Sequence, residues 1–434
     1  MRTSVARGLV VSCLFALAAP LEAQQPSATT RYVDPAGLTI AQATALGLRQ
    51  EPSLREVRSA IDAARGERQQ AGLRPNPSVS AERREEIGGG DNQTMIGIDW
   101  PLDLFRRSAR ITVADRTVTV MERSADDRER ILSADIRDHV ALVLTAVRRL
   151  DVLESLVEAS RRTVELLDAR VRDGATPPLE RDVASVEFQR LRASRELAMG
   201  QADAAVAELK PRLGLSAEAP LTLRDSLEVV VLEEAAAAVP PPIPPARADV
   251  LEAEAQLAAA EARIAQARQE AKPDVGLFAS YMRMDSGFPQ RAFGPTGGLQ
   301  PIHGVFHNAA AGVRVSLPFF NRNQGLLAAS QSRYEGAAHA VEARRLAAAA
   351  EVAAARARDA AARRALALYS ADARVLARRN LDVVREAYQL GRATLFDVLN
   401  EQRRYLDFES GYTDALADAF ASRTALQRAT GVVR

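Results

Sequence analysis

The chain has almost no cysteine, lysine or tryptophan. Its one cysteine, Cys13, lies in an N-terminal apolar stretch, which excludes disulfides, cysteine-ligated zinc and iron–sulfur clusters from the rest of the 434 residues. Beyond residue 23 no apolar run reaches the roughly 18–20 residues that a membrane helix needs. A field of one sign is missing too: 57 basic residues face 56 acidic ones, a net charge of +1 that disfavours a general nucleic-acid binder. Catalytic patterns are also lacking. There is no phosphate-binding glycine loop, no HExxH, and no thiol nucleophile outside Cys13. The expectation is a protein that is not an enzyme and carries no cofactor.

What is present begins with a secretory leader over residues 1–23. Arg2 and Arg7 precede the apolar run from Gly8 to Ala19, and small residues end at Ala23. Cleavage there leaves Gln24 rather than a cysteine at the new terminus, so no lipid anchor is expected. The exported chain is then either soluble or inserted in an outer membrane as strands, whose sequence signal is weak.

The rest is a tandem repeat. Trp100-Pro101-Leu102 matches Leu317-Pro318-Phe319, Gly174 matches Gly391, and Leu213-Gly214 matches Thr430-Gly431, all at one offset. Arg74-Pro75-Asn76 matches Lys272-Pro273-Asp274 at a shorter one, which places an insertion in the second copy. The first copy spans 24–214 and the second 247–434. Between them, 215–246 contains Pro240-Pro241-Pro242-Ile243-Pro244-Pro245, a stiff extended linker.

Residues 102–173 contain neither glycine nor proline. A helix over 106–172 would be about 100 Å long at about 1.5 Å per residue. Its seam runs through Ile136, Val140, Val143, Val147, Leu150, Leu153, Val157, Val164, Leu167 and Val171, with one irregularity at Leu150. The second copy repeats it over 322–390, through Leu366, Tyr369, Ala373, Leu376, Val383, Ala387 and Leu390. Each long helix stops at a glycine and returns as a shorter helix, over 179–213 and 395–431. A short helix over 39–73 precedes the strands of the first copy. Hairpins are expected over 77–104, turning at Gly88-Gly89-Gly90-Asp91-Asn92, and over 274–319, with a Gly- and Pro-rich loop at 285–307.

Strands of about ten residues match a tilted bilayer crossing. Four strands cannot satisfy their own edges in lipid, so two, three or four chains must close one barrel. The long charged helices must project into water. The fold class is therefore mainly α, with long helical hairpins and a β-barrel part.

These pieces resemble the TolC-like outer-membrane efflux proteins from about Leu38 to Gly431. The carrying motifs are Leu73-Arg74-Pro75-Asn76-Pro77, then Leu317-Pro318-Phe319-Phe320-Asn321-Arg322-Asn323-Gln324-Gly325, then Ala387-Tyr388-Gln389-Leu390-Gly391 through Phe396-Asp397-Val398-Leu399. Arg247-Ala248-Asp249-Val250 stands where the family has Arg-Pro-Asp-Val. The resemblance implies a homotrimer with a 12-stranded barrel in the outer-membrane lipid of a Gram-negative bacterium and a helical tunnel in the periplasm. It implies a periplasmic adaptor meeting the turns at Gly174, Ala175, Gly391 and Arg392, and an inner-membrane pump of the resistance-nodulation-division type. Cargo would be heavy-metal cations, which the Asn-Arg-Asn-Gln-Gly stretch favours, or small toxic compounds. A periplasmic coiled-coil adaptor or scaffold is the alternative, although it would need lipoyl-like and barrel domains flanking one hairpin.

Asp397 lies six residues after Gly391. Favourable interaction with the positive end of the returning helix would explain it. In the family this position lines the narrow periplasmic mouth, where three chains make an acidic ring. Glu180 is its counterpart after Gly174, and Asn400 stands where some members carry a second acid. His303 and His307 are spaced four apart, but in the expected loop that spacing gives no reason to share a metal. His139 and His339 are expected at the surface.

Overall fold

The computed structural model describes residues 28–236, 247–369 and 371–431; the leader and the proline run of the linker lie outside them. A short strand β1 (Val33–Leu38) bridges to Leu223 and leads to helices α1 (Ile40–Gln50) and α2 (Pro52–Ala71). Strands β2 (Ser78–Glu85) and β3 (Asn92–Pro101) precede α3 (Arg107–Arg172), α4 (Pro178–Arg212) and α5 (Leu227–Ala236). The second half runs α6 (Ala248–Glu270), β4 (Asp274–Phe293), β5 (Leu299–Ser316), α7 (Gln324–Leu368), α8 (Ala371–Gln389) and α9 (Leu395–Thr430). Among the described residues no helix is long and apolar enough to cross a membrane.

Four strands form one antiparallel sheet in the order β2-β3-β4-β5, so β2 and β5 are free edges. Alternation sorts the two faces. Val79, Ile98, Ala279 and Ala311 form one cross-strand row, and Ile96, Trp100, Leu277, Val313 and Val315 share its face. These side chains are exposed on the single chain, Ile96 by 53%. The opposite face carries Ser80, Glu82, Gln93, Asp99, Ser280, Asn308 and Arg314, with Arg314 paired to Asp99. An apolar outer face and a polar inner face match a barrel wall.

Four expectations need correction. The stretch 285–307 is not a loop: β4 and β5 continue to pair through it and turn at Gly294 to Gly298, with Gly297 at φ 79°. Its prolines are tolerated because Pro289 falls in a register shift between Phe288 and Arg291, and Pro301 sits on an edge strand. The helix expected over 39–73 breaks at Glu51, whose carboxylate caps the Leu54 N–H at 2.8 Å ahead of Pro52. The linker 215–246 is not extended throughout, since α5 packs its Leu227, Val230 and Val231 into the main core. The helix expected over 322–390 is interrupted after Leu368. There the Tyr369 ring turns onto Phe408 and Tyr412 of α9, with centroids 5.4 and 6.0 Å apart. Gly411 makes room, because a Cβ there would lie 2.6 Å from the Tyr369 hydroxyl. The break shifts the seam: Leu381 and Tyr388 are buried, while Leu376, Val383 and Leu390 face outward.

The core lies midway along α3. Ile136, Val140, Val143, Val147 and Leu150 pack against Ala198, Ala202 and Leu209 of α4 and against Tyr412, Leu416 and Phe420 of α9. Past Leu150 the phase shifts, so that Leu156 is buried while Leu153 and Val157 are only partly so. A charge cluster braces this level. Glu228 of α5 accepts from Arg148, Arg374 and the Tyr412 hydroxyl at 3.2, 2.6 and 3.0 Å, and Arg148 also reaches Glu409 at 3.1 Å. Burial, then the bond to Glu228, pushes the Tyr412 hydroxyl pKa up.

Leu150 is 0% exposed. Leu150→Ala should therefore lower unfolding free energy by about 2–5 kcal/mol in urea titration, through lost burial plus a cavity.

Candidate functional site: the helical turns at the tip

The two long hairpins reverse at Gly174 and Gly391, whose φ values of 70° and 71° suit glycine. The Ala175 N–H donates to Arg170 O and the Arg392 N–H to Ala387 O, each at 2.8 Å, so both turns close the same way. This shared geometry is the physical content of the repeat at this end.

Below the turns, Leu167, Ala184, Tyr388, Leu395 and Val398 form a small core that joins the hairpins. Two polar links reinforce it. Tyr388 donates its hydroxyl to Glu180 Oε2 at 3.0 Å, and Arg170 donates to Gln389 O at 3.0 Å while lying 5.8 Å from the Tyr388 ring. Burial, then the bond to Glu180, pushes the Tyr388 pKa up to about 12, so the phenol stays protonated and donating at neutral pH. Sequence reasoning passed over Tyr388 and Arg170, because their significance depends on contacts across more than 200 residues.

The two acidic positions have different surroundings. Asp397 is exposed and completes a capping box: its Oδ2 accepts from the Thr394 N–H and hydroxyl at 2.9 and 2.7 Å, and its own N–H donates to Thr394 Oγ1 at 3.2 Å. Those bonds from Thr394 hold its carboxyl below the usual range. Glu180 instead ties α4 to α8. Asn400 is half-buried one turn further along α9.

Elsewhere, His303 and His307 lie on strand β5. His303 Nε2 is 3.5 Å from Asp285 Oδ1, and His307 Nδ1 is 2.5 Å from the Tyr281 hydroxyl. No group of three or more His, Cys, Asp or Glu suited to a metal occurs among the described residues. The Asn-Arg-Asn-Gln-Gly stretch builds the strand-to-helix corner. Asn323 adopts φ 61°, donates its backbone N–H to Asn321 Oδ1 at 3.0 Å, and donates its side-chain amide to Ala267 O at 3.1 Å. Near Arg74-Pro75-Asn76, the carbonyls of Ala71, the last residue of α2, and of Gly72, its cap, accept from Arg110 and Arg107 at 3.0 and 2.7 Å.

The sequence pattern of the outer membrane efflux protein family matches residues 45–215 and 246–432, one block per repeat. The chain belongs to that family, whose members are ducts in the outer membrane, and the adaptor alternative falls away. Solved structures share the fold. One is CusC, from work on its folding and transmembrane channel formation, at 17% identity, covering 94% of this chain and 96% of that one with a TM-score of 0.68. The Vibrio cholerae outer membrane protein VceC matches at 20% identity, covering 90% and 96%, with a TM-score of 0.66. The open state of the Neisseria gonorrhoeae MtrE outer membrane channel matches at 18% identity, covering 93% and 90%, with a TM-score of 0.67. The comparison with curated protein sequences found no match.

The capping geometry of Asp397 has a pH signature. Because its folded pKa is depressed, the stabilisation is present above the ordinary carboxyl range, about pH 4, and is lost as pH falls through the lower folded value. Asp397→Ala should melt below the parent at pH 7, and thermal scans should show the difference closing on acidification below about pH 4.

Proposed function

We propose that three copies close into a ring whose 12 strands span the outer membrane and whose helices continue as a tunnel into the periplasm, making the exit duct of a tripartite efflux system. The observation that carries this reading is that the sheet ends in two free edges and the helices below it leave apolar faces bare. The edges are β2 and β5. In the lower helices, α3 packs on α4 and α9, α9 packs on α8, and Tyr388 links α8 to α4, so the four form a bundle in which α4 and α8 each keep an outward face. Both carry apolar side chains in the open: Leu179, Val183 and Val186 on α4, Leu376 and Val383 on α8, and Leu390 just past its end. Two different edges on one chain make a head-to-tail interface, which closes as a ring. Three copies follow from the family resemblance.

In this ring the turns at Gly174-Ala175 and Gly391-Arg392 meet the adaptor, and a pump of the resistance-nodulation-division type delivers heavy-metal cations or small toxic compounds. Glu180, Asp397 and Asn400 from three chains converge on the mouth. Six carboxylates there attract cations and repel one another. The Tyr388–Glu180 bond holds the two hairpins of each chain together, and so holds the mouth narrow.

Native mass spectrometry in detergent should show a trimer for the parent, and Val383→Glu with Leu390→Glu should disperse it. An unchanged assembly would remove the α8 edge from the interface. In planar bilayers, Glu180→Ala with Asp397→Ala should reduce cation preference, and Tyr388→Phe should raise conductance, with trimer yield normal. Conduction like the parent's in these variants would leave the acidic residues as helix-end stabilisers and move the constriction elsewhere.

A further inference from the structure

Methionine is scarce, six residues in 434, yet Met95, Met282 and Met284 lie together on the sheet. All three side chains point to the polar, inner face. Glu82, Met95, Met282 and Asn308 form one cross-strand row; Arg84, Gln93, Met284 and Phe306 form the next. Met95 and Met282 are direct partners, with Cβ atoms about 4.5–5.5 Å apart, and Met284 is the diagonal neighbour at about 7–8 Å. Each has three rotatable bonds beyond Cβ or leading to it, enough for the sulfurs to converge.

Lipid contact does not account for this placement: Phe278 and Phe306, the latter paired with Met284, add apolar surface to the inner face, but that face is otherwise polar. The lipid-facing set, Ile96, Ile98, Trp100, Leu277 and Val313, is on the other face, and the methionines sit half-buried among Glu82, Gln93, Asn308 and Ser280. The Met282 sulfur accepts a hydrogen bond from Gln93 Nε2, so its lone pairs face the polar side of the sheet. A neutral thioether is a soft donor that favours Cu(I) and its heavier analogue Ag(I) over hard or borderline cations. Glu82, in the same row, is already paired with Arg84 at 2.6 Å, so the donors of the site are the neutral thioethers themselves.

We propose that Met95, Met282 and Met284 form a thioether site for a soft monovalent metal, Cu(I) or Ag(I), on the lumenal wall of the barrel. The site rests on the duct reading, because the lumen is what gives a passing ion access to this face. In the proposed trimer it occurs three times at one height, a station that holds cargo through weak, exchangeable bonds.

The test is silver titration of the purified full chain in detergent, in chloride-free buffer and on a Cys13→Ser background that removes the one thiol. Methyl-labelled methionine NMR is the readout. Silver should shift three methyl signals together and bind one ion per chain, and Zn(II) should not compete. Met95→Leu with Met282→Leu and Met284→Leu should lose the binding, whereas Met121→Leu with Met199→Leu, changed on the helices, should keep it. No silver binding by the parent, or binding unaltered in the triple leucine variant, overturns the site. Bilayer conductance of the same preparations separates this from the function it rests on. A conducting parent that ignores silver sinks the metal site alone, and a non-conducting trimer sinks the duct alone if the methionines still bind silver.

Discussion

The constraint on which the rest depends is the unpaired backbone at the edges of β2 and β5. In water those N–H and C=O groups could be left to solvent, but in lipid each costs several kcal/mol. A chain with only four strands in its sheet therefore has no membrane form of its own. The exposure of Ile96, Ile98 and Trp100 on one face, opposite Asp99 and Arg314 on the other, has the same logic: one chain is a segment of wall. In the proposed ring the helices inherit the constraint, because α2 leads into β2 and α7 leaves β5, the two edge strands.

Much of this was legible because it follows from local chemistry. The glycine- and proline-free stretch 102–173 leaves no place to end a helix, and α3 indeed runs from Arg107 to Arg172. Gly174 and Gly391 mark the turns because only a residue without Cβ takes their φ cheaply. The alternation of Met95, Gly97 and Asp99 with Ile96, Ile98 and Trp100 is likewise written in the sequence, and the pairing sorts the two sets onto opposite faces. The strands beyond Asp285 were hidden because glycines and prolines suggest a loop, while a two-stranded ribbon at a sheet edge tolerates both.

The remainder was illegible because it belongs to pairs distant in sequence. Nothing between Leu366 and Ala373 signals a stop, and the break arises from Tyr369 docking where α9 carries Gly411. Glu228 looks like one acid in a linker until Arg148, Arg374 and Tyr412 are seen around it. At the tip, equal spacing from the two glycines made Glu180 and Asp397 look equivalent. Their partners differ, since Thr394 at the cap engages Asp397, and Pro177, at the corresponding cap of α4, offers no hydroxyl, leaving Glu180 to Tyr388.

The break at Tyr369 also links the interior of one chain to its proposed neighbours. In an uninterrupted helix, Leu376, Val383 and Leu390 would stay in phase with Leu366 and bury against the same chain, leaving α8 a polar outer face. The interruption turns Leu381 and Tyr388 inward and sends the other three outward. One helix thus supplies two apolar faces, one completed by α9 and one that the chain leaves bare. Tyr388 is on the first face, where it reaches Glu180, and Leu390 is on the second, only two residues away. Because so short a segment carries both, a shift of α8 that loosens the intrachain bond at the mouth must also move the face offered to the next copy, so in the proposed ring neither contact can change without the other.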